Sequence, residues 1–118
     1  MSHGERLKNL RGAVVQCIFP FSDQTQSKSR PVFVIVELEG DDFIACRVSS
    51  QPISKYDKHS ILINSDDFEF GSLPLQSKVY PNSLTTLSKN MIKTVHGKLK
   101  KDKQDEIINK IIKIISGK

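Results

Sequence analysis

Two β-branched runs on either side of a tight turn constrain this chain more than any other feature. Pro31-Val32-Phe33-Val34-Ile35-Val36-Glu37 and Phe43-Ile44-Ala45-Cys46-Arg47-Val48 flank Glu39-Gly40-Asp41-Asp42, residue types that turns favour. Together they predict a β-hairpin. The first run is apolar at consecutive positions, so its strand should be covered on both faces, either central in a sheet or sandwiched. Upstream, Gly12 opens Ala13 to Phe19, a third strand by length and β-branching. Pro20 ends that strand, having no N–H to give a ladder.

The rest of the chain is punctuated in the same way. Phe21 to Ser29 reads as a polar loop rich in Ser, Gln and Lys, and Ser27-Lys28-Ser29-Arg30 as a short mobile basic segment that places Arg30 at the strand junction. A loop from Ser49 to His59 precedes a short strand at Ser60 to Ile63. Asp66 to Gln76 is turn-rich, with Gly71 and Pro74, and brief extended pieces follow at Lys78 to Tyr80 and Leu84 to Leu87. The C-terminal part differs in kind. Ile107, Ile108, Ile111, Ile112 and Ile115 form one helical stripe, with Lys103, Lys110 and Lys113 on the other side and Asp102 placed as N-cap. The stripe needs a surface, most simply one face of the sheet.

Several short strands closed by one helix describe a mainly β fold with a C-terminal α-helix, a small curled barrel with a helical cap. At 118 residues the chain is expected to form a single domain over 1–118. Residues 1–10 make a polar extension, either frayed or one turn of helix packing Leu7 and Leu10. Cys17 and Cys46 lie in apolar runs without CxxC spacing and read as buried free thiols, a cross-strand disulfide being the alternative. No apolar run approaches the roughly 18 residues of a membrane span, and the first residues lack the apolar core of a signal peptide, so the expected location is cytoplasmic.

The net charge of +5 suits a polyanionic partner without requiring one. His3, His59 and His96 are far apart and both cysteines sit in strands, so no metal site is expected. No phosphate-binding GxxxxGK[ST] loop, GxGxxG turn or GxSxG elbow is present. An enzyme built from these residues is therefore expected to work without metal or cofactor. RNA permits such chemistry, because its 2′-hydroxyl is a nucleophile beside the scissile phosphate. The protein must then position that group, move protons and stabilise the charge on phosphorus. The planar fork of arginine holds two phosphate oxygens at once. Arg30 and the Ser49-Ser50 pair, at strand ends of the hairpin, are the candidates; His59 and His96 are candidate proton carriers.

Taken in order, Gly12-Ala13-Val14-Val15, Phe19-Pro20-Phe21-Ser22-Asp23 and Ser29-Arg30-Pro31-Val32-Phe33-Val34-Ile35 resemble the opening of the MazF/PemK family of toxin-antitoxin ribonucleases. Val48-Ser49-Ser50-Gln51 is similar to the family's aliphatic-(Ser/Thr)-(Ser/Ala)-Gln segment. Asp67-Phe68, Gly71-Ser72-Leu73, Ser77-Lys78-Val79-Tyr80-Pro81-Asn82 and Leu84-Thr85-Thr86-Leu87 resemble its next strands, and Gly97-Lys98-Leu99 with the closing helix completes a likeness over roughly 11–115.

The resemblance implies a small SH3-like barrel of the MazF/PemK/CcdB type that works as a homodimer. It further implies cleavage of single-stranded RNA, often messenger RNA, by 2′-hydroxyl attack, with a co-encoded antitoxin as partner. Arg30 would be the phosphate-facing catalytic residue and Ser49 the hydroxyl on the scissile phosphate, with Lys28, Ser29, Ser50, Gln51, Tyr80 and Asn82 contacting RNA. Two positions depart from the family pattern. Ala13 replaces a frequent acidic residue, and Tyr80 stands where a second RNA-facing arginine is common, which leaves Arg30 as the expected sole cation of the site. The alternatives are a relative that binds RNA or a partner without cutting, and an inhibitor of a protein target such as DNA gyrase.

Overall fold

The structure is a computed structural model that describes residues 9–20 and 27–117. Among these residues seven strands, β1 (Ala13–Pro20), β2 (Ser27–Glu37), β3 (Asp42–Ser49), β4 (Ile61–Ile63), β5 (Phe68–Gly71), β6 (Ser77–Ser88) and β7 (Ile92–Leu99), precede one α-helix, α1 (Lys101–Ser116). All the ladders are antiparallel, and the sheet runs β4-β6-β3-β2-β1-β7-β5, curled into a half-barrel. The expected mainly β fold with a C-terminal helix is the one formed. The apolar β2 is indeed central, with three strands on either side.

Alternation along the strands divides the interior into two cores, one on each face of the sheet. Val15, Cys17, Val32, Val34, Phe43 and Ala45 meet Leu10, Leu87 and Ile92 on one face. Val14, Phe33, Cys46, Val48, Val79 and Leu99 meet Ile107 and Ile111 of α1 on the other. Cys17 and Cys46 therefore belong to different cores and are both free and buried, as the free-thiol reading required. Among the described residues no helix is long and apolar enough to cross a membrane.

Four expectations need correction. Ser27 to Arg30 is not a mobile loop: β2 begins at Ser27, and β1 pairs with it down to Pro20 opposite Ser27. Past Val32 the β2–β3 ladder stops, so this end of β2 is paired with β1 only and Pro31 owes no N–H to β3. The pieces at Lys78 to Tyr80 and Leu84 to Leu87 are one strand, β6, with an irregularity between them. Cys46 faces Leu84 while Arg47 faces Tyr80, which leaves Pro81-Asn82-Ser83 as extra length on β6. Within the turn-rich stretch, Phe68 to Gly71 forms a strand that the sequence reading passed over. Asp102 is not the N-cap. Lys100 holds that place and Asp102 lies in the first turn, where its carboxylate accepts from the Lys103 N–H at 2.9 Å. The expected helical turn around Leu7 and the polar loop at 21–26 lie outside the described residues, while Leu10 is buried.

Two glycines let β5 approach β7 more closely than any side chain would permit. Gly71 and Gly97 are paired, and a Cβ on either would run into the opposing backbone, at the His96 carbonyl or the Phe70 carbonyl. Gly71 also has φ +74, which favours glycine. This close crossing carries His96 to the rim of the cavity described next.

Candidate functional site

Arg30 and Ser49 reach the same cavity because of the β2–β3 register. Val32 sits opposite Arg47, and Arg30 and Ser49 lie two residues farther along each strand from that pair. Both line an open cavity of about 230 Å³ together with Ser29, Ser50 and Gln51. Five of the eight residues singled out from sequence thus converge. Lys28 is exposed on β2 outside this lining, and Asn82 is exposed in the extra length of β6. Tyr80 also lies outside the lining, for a reason given below.

The segment after β3 is anchored at two points. The Ser49 Oγ accepts a hydrogen bond from the Gln51 N–H at 3.1 Å. Lys78, only 7% exposed, donates from Nζ to the Gln51 carbonyl. A buried ammonium needs such a partner. It is also close enough to Asp57 to help hold that carboxyl below its ordinary range, after the larger contributions of hydrogen bonds from Ser60. Asp57 accepts from the Ser60 N–H at 2.9 Å and the His59 N–H at 3.1 Å, which shapes the loop before β4.

Two polar residues near the site, Gln16 and Arg47, escaped the sequence reading, and His96, a candidate proton carrier, lines this cavity. Gln16, the amide within the apolar run of β1, donates from Nε2 to the Ser29 Oγ at 2.9 Å. Its Oε1 lies 2.7 Å from Nε2 of His96. A polar line therefore crosses β7, β1 and β2 to reach the residue next to Arg30. Since the Gln16 carbonyl oxygen only accepts, His96 carries its proton on Nε2 and keeps the Nδ1 lone pair. Burial pushes the His96 imidazole below its usual value, favouring the neutral ring. His59, the other candidate proton carrier, lies outside the lining, and its Nδ1 is buried without a partner. Leu73 and Leu75 form an apolar wall.

The other missed residue is Arg47. Its guanidinium carbon lies 4.3 Å from the centroid of the Tyr80 ring, and the two residues face each other across β3 and β6. Arg30 and Arg47 share a second cavity of about 270 Å³ with Phe19, Pro31, Val32, Ser83 and Thr85. Arg30 is therefore not the only cation near the site. A lone polar residue inside Phe43–Val48 was the available signal, matching Gln16 inside Ala13–Phe19.

The family model for the PemK-like, MazF-like toxin of type II toxin-antitoxin systems matches residues 10–115. The chain belongs to this family. Solved structures share its fold. An endoribonuclease in complex with its cognate antitoxin, from a mycobacterial species, aligns with TM-score 0.69 at 15% identity over 90% of this chain and 93% of that one. A mycobacterial endoribonuclease aligns with TM-score 0.64 at 17% identity, covering 91% and 89%. Mycobacterium tuberculosis toxin MazF-mt6 aligns with TM-score 0.62 at 12% identity, covering 86% and 92%. No curated protein sequence matches the chain. For this PemK/MazF-type toxin, the likeness at such low identity establishes the barrel, and the chemistry has to be argued from its own residues.

Proposed function

We propose that this toxin is an endoribonuclease that cuts single-stranded RNA by attack of the 2′-hydroxyl on the adjacent phosphate. The convergence of Arg30, Ser49 and His96 on one cavity carries the reading. His96 is the cavity's side chain able to accept a proton near neutrality, and its Nδ1 takes the 2′-hydroxyl proton. The 2′-oxygen attacks phosphorus, and the Arg30 guanidinium stabilises the charge on the equatorial oxygens as it builds. An arginine stays charged at any working pH, so Arg30 acts as electrostatic clamp rather than base. Ser49 Oγ donates to a third phosphate oxygen while its lone pair holds the Gln51 N–H. The bond to the 5′-oxygen breaks as that oxygen takes a proton from solvent water, leaving a cyclic phosphate on one fragment and a 5′-hydroxyl on the other.

Ser29, Ser50 and Gln51 contact the nucleotides around the cut, and Lys28 and Asn82 the strand beyond it. The chemistry requires no metal. A homodimer in the cytoplasm, neutralised by an antitoxin protein, fits both the family and the neighbour described with its cognate antitoxin. The decisive experiment incubates purified protein with single-stranded RNA and sequences the 5′ ends of the fragments. Cuts at a short recurrent motif, lost in Arg30→Ala and Ser49→Ala, are expected; intact RNA with the wild-type protein overturns the proposal. Sedimentation at micromolar concentration should give a dimer.

A further inference from the structure

The cavity that Arg30 shares with Arg47 holds two arginines, only one of which has a part in the steps above. Among the described residues the ion pairs involve Lys89, Lys101 and Lys103, and no carboxylate lies within ion-pair distance of Arg30 or Arg47. Two cations that line one cavity suit an anion between them. The Tyr80 ring fixes one of them. Its face holds the Arg47 guanidinium at 4.3 Å, a stacking contact that restrains a long side chain and leaves its N–H fork free to donate. Ser83 and Thr85 add hydroxyl donors from β6, and half-buried Phe19 adds an aromatic wall from β1. Charged donors, hydroxyls and one aromatic face match a nucleotide unit, with phosphate on the donors and base against the ring.

We infer that Arg47, positioned by Tyr80, binds a phosphate flanking the scissile one, so that the RNA strand crosses Arg30 from the first cavity into the second. This rests on the proposed ribonuclease reading and adds a substrate contact to it. Arg30, which lines both cavities, is the shared point. Tyr80 thereby acts as a positioning residue, because one face of its ring is already taken by Arg47.

The test uses full-length protein and an oligonucleotide carrying the cleaved motif, made uncleavable by a 2′-deoxy sugar at the cut. Arg47→Ala should weaken binding about 10-fold or more, the scale of one charge-assisted contact. It should also flatten the plot of log affinity against log salt by about 0.7, the value for one single-strand phosphate contact. Arg47→Lys should keep the slope. A neutral methylphosphonate at one flanking linkage should cost the wild type affinity and cost Arg47→Ala nothing further. Tyr80→Phe should bind as the wild type does, and Tyr80→Ala as Arg47→Ala does. An unchanged slope in Arg47→Ala, or full additivity with the methylphosphonate at both flanking linkages, overturns the inference while cleavage lost in Arg30→Ala keeps the ribonuclease reading. Wild-type protein that neither binds nor cuts RNA overturns both.

Discussion

His96 Nε2 and Gln16 Oε1 lie 2.7 Å apart although 80 residues separate them in the chain. The contact holds the ring in one tautomer and leaves the lone pair on Nδ1. Since burial lowers the His96 pKa from 6.5, the ring is largely neutral at pH 7 and able to accept a proton. Cleavage should therefore fall as pH drops through a value below 6.5 and be flat above it. His96→Asn should lower the rate by roughly 10²–10⁴, as expected for loss of a general base, and should abolish that acidic limb. A retained limb would assign the proton transfer elsewhere.

The same ring gives a stability signature of fixed sign. A histidine whose folded pKa is depressed binds more protons when unfolded. Its contribution is therefore fully present above pH 6.5 and lost as pH falls toward the folded value. Urea midpoints of the wild type should decline across that window more steeply than those of His96→Asn. Equal slopes would show that the folded ring titrates normally.

Lys78 ties the candidate site to the core. Its near-complete burial and its bond to the Gln51 carbonyl make it the fixed end of the segment that follows Ser49. Lys78→Met keeps the apolar stem and leaves that carbonyl without its donor, a loss of about 1–3 kcal/mol for a buried polar group. We expect a lower urea midpoint, together with a fall in cleavage larger than the loss of folded protein explains. Cleavage unchanged at full folding would show that Gln51 needs no anchor.

The sequence revealed the hairpin, the central strand and the helix because each follows from short-range patterning. Phosphate chemistry made Arg30 and the Ser49-Ser50 pair candidates, and only the ordered family likeness raised them, with Gln51, above ordinary surface residues. Gln16 and Arg47 were not singled out, and His96 was named only as one of two candidate proton carriers. Their significance comes from the β1–β7, β1–β2 and β3–β6 registers, which no local window contains. Tyr80 shows the limit most plainly: its ring was legible as a contact surface, whereas its occupation by Arg47 depends on the irregularity at Pro81–Ser83. The basic stretch before Pro31 was misread as a loop because Ser and Lys are poor strand formers, yet the partner strand β1 extends along all of it.

The two sulfurs should differ from surface thiols in reactivity. Burial pushes Cys17 up to about 11 and Cys46 up to about 12, so neither carries appreciable thiolate at neutral pH. They also lie in cores on opposite faces of the sheet, with β2 between their strands. Folded protein should resist iodoacetamide at pH 7.5 and gain two adducts per chain in denaturant, as mass spectrometry would show. Rapid labelling without denaturant would place one thiol at the surface.

The isoleucine stripe of α1 is only partly used within one chain. Ile107 is 0% exposed and Ile111 is buried beside Phe68 and Leu99, whereas Ile112 is 56% exposed and Ile115 is 70% exposed. Ile107→Ala should remove about 2–5 kcal/mol of stability through the cavity it leaves. Ile112→Ala should change the monomer's stability by no more than about 0.5 kcal/mol. Denaturant unfolding of both variants across a range of protein concentrations separates packing within the chain from association between chains. If Ile112→Ala costs stability only at concentrations where the wild type sediments as a dimer, the outer half of the stripe belongs to the dimer contact. A cost independent of concentration would place Ile112 in the core of the folded chain instead.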